Sequence, residues 1–180
     1  GKELMRQASN QMKRLSLELG GHAPVIIFPD VDIEAIAKVS VIGKFRNNGQ
    51  VCICPTRFYA HHSIAKDYIE ACVEETKQLK LGNGLDPGVN IGPMFEAKAL
   101  EKADRIVQDA RDKGASCLLG GERSSRFEKG YFYEPTVLTD INPEMALMTD
   151  EPFAPVMPIM DFDNIDEAIA RANATEFGLA

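Results

Sequence analysis

Apolar residues recur at Leu4, Met5, Ala8, Met12 and Leu15, the three-and-four spacing of one helix face, so the chain opens inside a helix with no capping residue before it. At Leu15, Leu17 and Leu19 the pattern changes to alternation with Ser16 and Glu18, the period of a strand, which points Glu18 away from the leucines. Gly20-Gly21 ends that strand, and the apolar run Pro24–Phe28 reads as a buried parallel strand. Asp30 and Asp32 offer caps for a helix over Ile33–Lys44, broken by Asn47-Asn48-Gly49. The spacing then predicts a strand at Arg57–Ala60, a helix capped by Ser63 and running to Leu79, and a glycine- and proline-rich loop over 81–93. Further on it predicts a helix over Glu96–Lys113, a short strand at Ser116–Leu119 and extended chain over 131–139. Glu151–Pro158 reads as irregular, Met157–Phe162 as the last strand and Ile165–Ala172 as the last helix. Strands alternating with helices define an α/β fold: an open, mostly parallel sheet flanked by helices. Neither an internal repeat nor a low-complexity tract interrupts it.

Composition narrows the function classes. The 180 residues are 44% hydrophobic and 26% charged, which suits one domain with a sizeable core. A net charge of −7, with basic residues scattered, argues against a nucleic-acid surface. No apolar run approaches the roughly 20 residues of a membrane span. Four cysteines, Cys52, Cys54, Cys72 and Cys117, are too few and too unevenly spaced for a secreted disulfide framework, so a reducing compartment is expected. Cys72 and Cys117 fall within a helix and a strand and read as core.

Chemistry concentrates at two places. Cys52 follows the polar, glycine-containing lead-in Asn47-Asn48-Gly49-Gln50, unlike a core strand. A thiolate there is a strong nucleophile, backbone N–H groups beside a turn stabilise a thiolate and then an oxyanion, and Arg46 adds positive charge. Glu18, ahead of a glycine pair that lets another backbone approach, is a candidate general base if its neighbourhood is apolar. The alternatives are a buried structural cysteine and a surface glutamate. A zinc cluster of Cys52, Cys54, His61 and His62 has the wrong spacing for four-ligand sites; no metal is expected.

Together these motifs resemble the aldehyde dehydrogenase superfamily, in which Leu-Glu-Leu-Gly-Gly carries the general base and Phe-x-Asn-x-Gly-Gln-x-Cys the nucleophile. Here they read Leu17 to Gly21, and Phe45, Asn47, Gly49, Gln50 and Cys52. Glu151-Pro152-Phe153-Ala154-Pro155 is similar to the family's Glu-x-Phe-Gly-Pro, with Ala154 in place of glycine. The resemblance covers nearly the whole chain and implies the catalytic-domain type of sheet. It also implies that residues 1–20 are a remnant of a nicotinamide-cofactor domain and 21–180 a catalytic domain cut at its C-terminal end. It assigns Cys52 as nucleophile, Glu18 as base, Glu151 and Phe153 as cofactor-binding residues, NAD or NADP as cofactor, and a homo-oligomeric full-length enzyme. Lys102 aligns with a family lysine near the cofactor ribose, although a solvated helix face is the simpler reading.

Leu19-Gly20-Gly21-His22-Ala23-Pro24, Lys44-Phe45-Arg46-Asn47 and the Cys52-x-Cys54 pair resemble the succinate-semialdehyde branch of that superfamily. This likeness implies a small carboxylate-bearing aldehyde as substrate, with Arg46 gripping its carboxylate in a forked pair. It also implies a Cys52–Cys54 disulfide as a redox switch, with an unreactive neighbouring thiol as the other reading of Cys54. Glutarate or 2-oxoglutarate semialdehyde are alternative substrates, and a non-catalytic binding or assembly module is the rival from another class. Coenzyme-A-acylating relatives typically lack the glutamate that Glu18 matches. The expected compartment is the cytoplasm, or the mitochondrial matrix in a eukaryote. The isolated stretch is expected to fold without turning over, because the cofactor-positioning parts lie outside it.

Overall fold

The computed structural model describes residues 1–179; Ala180, the end of the expected 21–180 domain, lies outside them. Five strands form one sheet in the order β1-β2-β5-β4-β3, with β1 at Ala23–Ile27, β2 at Pro55–His61, β3 at Ser116–Leu119, β4 at Thr136–Thr139 and β5 at Val156–Phe162. β1, β2, β5 and β4 run parallel, and β3 closes the far edge antiparallel to β4. The helices are α1 (Lys2–Ser9), α2 (Ile33–Phe45), α3 (His62–Lys77), α4 (Ala97–Asp112), α5 (Ala146–Thr149) and α6 (Ile165–Asn173).

Alternation along the strands sorts the core. Phe58, Ala60, Val137 and Met157 face one side with Ala37 and Val41 of α2 and Tyr68 and Cys72 of α3. Leu138 and Val156 face the other, with Leu100, Ala103, Ile106 and Val107 of α4, while Tyr59, Met160 and Phe162 meet Ala168 of α6. Successive residues point to opposite faces, so a parallel sheet with helices on both sides needs near-continuous apolar strands.

Several details depart from the sequence reading. Asp32, not Asp30, caps α2, its Oδ1 accepting from the Ala35 N–H at 3.0 Å. Ser63 lies inside α3; the cap is His61, whose Nδ1 accepts from the Ser63 N–H at 3.3 Å. The leucine alternation at 15–19 is not a strand. Leu15 and Leu19 are 45% and 49% exposed, and no described strand pairs with this segment. Alternation marks a strand only when a neighbour accepts its backbone hydrogen bonds. The short α5 lay hidden ahead of Glu151, and β5 begins inside the proline-rich stretch, at Val156.

Candidate active site

Three motifs far apart in sequence share one property: each immediately precedes a parallel strand. Gly20-Gly21 leads into β1, the Cys52 turn into β2 and Glu151–Pro155 into β5, and these three strands are neighbours. Their lead-in segments therefore meet at the amino-terminal edge of the sheet. Gly21 packs so tightly on Cys52 that a Cβ would overlap the Cys52 carbonyl oxygen. Its N–H donates to Glu151 Oε1 at 3.1 Å, and the other carboxylate oxygen lies against Gly20. Gly49 is pressed in the same way onto the Ala154 carbonyl.

The Cys52 turn is built by its own polar residues. Asn47, Asn48 and Gly49 take left-handed backbone angles, φ 51°, 60° and 69°, which asparagine and glycine tolerate best. Asn47 Nδ2 donates to the Gln50 carbonyl at 2.9 Å, Gln50 Nε2 returns to the Asn47 carbonyl at 3.2 Å, and Gln50 Oε1 accepts from the Phe95 N–H at 3.1 Å. Asn48 Nδ2 donates to the Gly92 carbonyl at 2.7 Å, anchoring the 81–93 loop. A turn closed by Cys54 N–H to the Val51 carbonyl at 2.9 Å then presents Cys52, a half-buried free thiol. Among the described residues no protein acceptor meets the Cys52 N–H, which leaves that donor for an oxyanion.

The other expected residues fall as follows. Glu18 is exposed in coil, not set in the apolar neighbourhood expected of it. Packing of Gly21 on Cys52 still brings it to the same edge, within about 10 Å of extended chain. Arg46, exposed at the end of α2, makes no ion pair among the described residues. Lys102 is not a solvated face: its Nζ donates to the Glu151 backbone carbonyl at 2.5 Å. Ala154, 1% exposed, has no need of glycine, since the left-handed residue is its neighbour Phe153 at φ 49°. Cys54 is a buried free thiol. No three His, Cys, Asp or Glu side chains cluster as metal ligands among the described residues.

Three buried polar residues under this edge escaped the sequence reading. Lys44 is fully buried, and its Nζ faces Cys54 Sγ at 3.5 Å. His22 bonds Thr56 Oγ1 at 2.8 Å through Nδ1 and the Met148 carbonyl at 3.1 Å through Nε2. Burial first, then the nearby Arg57 charge, pushes its pKa down to about 4. Arg57 itself is fully buried and donates to the carbonyls of His22, Arg171 and Ala172. Lys44 and His22 stood inside quoted motifs. The remaining signal was a charged residue in the middle of an apolar strand, Arg57.

Glu151 offers a half-buried carboxylate that accepts, and Lys102, bonded to the Glu151 carbonyl, an ammonium that donates. With the half-buried ring of Phe153 two residues on, this set suits a hydroxyl-bearing ligand.

Comparison with known proteins gives the same picture. A probable succinate-semialdehyde dehydrogenase [NADP(+)] of Sinorhizobium fredii (strain NGR234) is 43% identical over all 180 residues, which span 36% of its length. A betaine aldehyde dehydrogenase of Brucella anthropi is 38% identical, again over the whole chain and 37% of its own. The crystal structure of succinate-semialdehyde dehydrogenase from Burkholderia pseudomallei superposes with a TM-score of 0.94 at 38% identity, covering 98% of this chain and 36% of that one. The chain thus spans little more than a third of these relatives. With residues 1–180 all matched by the model of the aldehyde dehydrogenase family, and its motifs converging on one sheet edge, the chain belongs to that family.

Proposed function

We propose that the protein carrying this chain oxidises a carboxylate-bearing aldehyde, succinate semialdehyde to succinate, with NAD or NADP. The observation that carries this reading is the meeting of the Cys52 turn, the Glu18–Gly21 segment and Glu151 at one edge of the sheet. Cys52 Sγ attacks the aldehyde carbon and forms a C–S bond, while the Cys52 N–H donates to the oxygen as it gains charge. When bound, the nicotinamide supplies the acceptor for the hydride. Glu151 and Lys102 would hold its ribose side and Phe153 would pack beside the ring. The acyl group stays on Cys52 as a thioester. Glu18 then takes a proton from water, the water oxygen attacks the thioester carbon, and the acid leaves as the thiol is restored.

Arg46 supports the substrate class: it stands at the lip of the nucleophile turn with its guanidinium free of any described carboxylate. Charge alone does not measure chain length, so glutarate or 2-oxoglutarate semialdehyde is the second reading. The betaine aldehyde relative shows how widely the family's substrates range. A cytoplasmic or mitochondrial-matrix homo-oligomer acting on small molecules suits this reading, and no helix among the described residues is long and apolar enough to cross a membrane.

The test is a turnover assay of the whole protein and its Arg46→Ala variant, with succinate semialdehyde and with butanal. Losing a charge-assisted hydrogen bond of about 1.5–3 kcal/mol should raise KM for the semialdehyde roughly 10- to 150-fold and leave butanal nearly unchanged. Equal losses on both aldehydes would make Arg46 structural. No turnover of any aldehyde by the native protein would favour the non-catalytic module.

A further inference from the structure

The nucleophile turn rests on a buried amine. Lys44 sits in the last turn of α2, fully buried, and a Cβ on Gly49 would lie 3.1 Å from its Nζ. Lysine is almost never fully buried without an ionic partner. Lys77 and Lys113 have carboxylates at 2.6 and 2.7 Å. Lys44 has no ion pair among the described residues; its hydrogen-bond partner is Cys54 Sγ, 3.5 Å away, on a residue only 3% exposed. The S–H of Cys54 faces the Lys44 and Pro55 carbonyls at 3.4 and 3.3 Å, so both reacting atoms are held on fixed elements, the end of α2 and the entry to β2. Burial lowers the pKa of Lys44, opposed by its contact with Cys54 Sγ and by the Glu151 carboxylate; this favours the neutral, nucleophilic amine.

We propose that Lys44 and Cys54 form a site of oxidative modification, a covalent Nζ–Sγ cross-link made when the protein meets hydrogen peroxide. In the first step the sulfur attacks one peroxide oxygen and the O–O bond breaks. Sulfur is oxidised by two electrons to a sulfenic acid, and the second oxygen leaves as water. In the second step the neutral Lys44 nitrogen attacks that sulfur. The N–S bond forms, the S–O bond breaks, and the hydroxyl leaves with an amine proton as a second water. One amine, one thiol and one peroxide thus give a sulfenamide and two waters. Contact at 3.5 Å makes this an intramolecular step between groups already held face to face. The bond would pin the floor of the nucleophile turn to α2, and it gives Cys54 a partner other than Cys52.

The test uses the whole protein. Peroxide is added, free thiols are capped with iodoacetamide, and the tryptic digest is read by tandem mass spectrometry. The expected product joins the peptide Val39–Arg46, uncut at the blocked Lys44, to Asn47–Arg57, two hydrogens lighter than their sum and with Cys52 capped. Cys52→Ser should still give it, because the rival disulfide is then impossible; Lys44→Arg should abolish it. A Cys52–Cys54 disulfide with normal cleavage at Lys44 would overturn the proposal. So would a Cys54 sulfinic acid with Lys44 free, or capped Cys54 at peroxide levels that oxidise Cys52. The readout is a mass, so it stands or falls apart from the substrate assignment.

Discussion

A methyl group on Gly21 has nowhere to go. It would overlap the Cys52 carbonyl oxygen and lie 3.0 Å from that of Leu179, and both are backbone atoms. The same methyl on Gly20 meets Glu151 Oε2 at 2.6 Å, the movable tip of a side chain. Gly21→Ala should therefore displace the Cys52 turn; if Cys52 is the nucleophile proposed above, a shift near 1 Å costs on the order of 10²-fold in turnover. Gly20→Ala should stay within a few-fold. Steady-state kinetics of both variants, with the iodoacetamide labelling rate of Cys52, decide the matter; equal losses would mean that the close approach at Gly21 is not what sets the thiol. The identity of the glycine pair was legible in the sequence. Its reason was not, because the atom it makes room for belongs to a residue 31 positions away. Ala154 shows the converse: it stands where the family has glycine, yet the left-handed residue there is its neighbour Phe153.

At the scale of elements, Arg57 fastens two layers. Its guanidinium makes four hydrogen bonds of 2.6–3.1 Å, two to the His22 carbonyl ahead of β1 and one each to Arg171 and Ala172 at the end of α6. A cation is favoured there because the last carbonyls of a helix carry partial negative charge. Arg57→Met should cost about 2–3 kcal/mol, since one buried carbonyl loses its donors at about 1–3 kcal/mol and two half-buried ones lose theirs at less. Arg57→Lys, which keeps charge but not the fork, should cost less. Urea unfolding gives the difference, and a loss under about 1 kcal/mol for Arg57→Met would show that water replaces the clasp. Periodicity found these elements well: α2, α4, α6 and four of the strands stand within a few residues of where apolar spacing put them, while β4 takes only the last four residues of the stretch 131–139 read as extended. It failed at Leu15–Leu19, where alternation had no pairing partner, and at α5, too short to show a period. The site motifs, picked out by residue type and by family resemblance, were legible too, but not that they meet. The missing step was order: strands β1, β2 and β5 are adjacent, so whatever precedes them converges.

For the molecule as a whole, the join beneath the site is sensitive to acid. His22 ties the entry of β1 to Thr56 on β2 through Nδ1 and to the Met148 carbonyl on α5 through Nε2, which donates to it. Arg57, Lys44 and Asp150 are the charged groups acting on it, and burial together with Arg57 holds its pKa at about 4, against 6.5 for an unhindered histidine. The folded state thus takes up this proton later than the unfolded chain as pH falls. Its contribution to stability is fully present above pH 6.5 and is lost progressively from 6.5 down to about 4. At 1.36 kcal/mol per unit the full loss is on the order of 3 kcal/mol. His22→Gln carries no titrating ring, so its stability should fall less steeply across that window. Urea unfolding of both proteins between pH 7.5 and 4.5 should show the gap between them narrowing by about 2 kcal/mol as the solution is acidified, most of the linkage energy. Parallel curves would place the acid sensitivity elsewhere. Because His22 follows Gly21 directly, the proton that breaks this join also loosens the segment packed on Cys52, so labelling of Cys52 should become less selective over Cys72 in the same pH range.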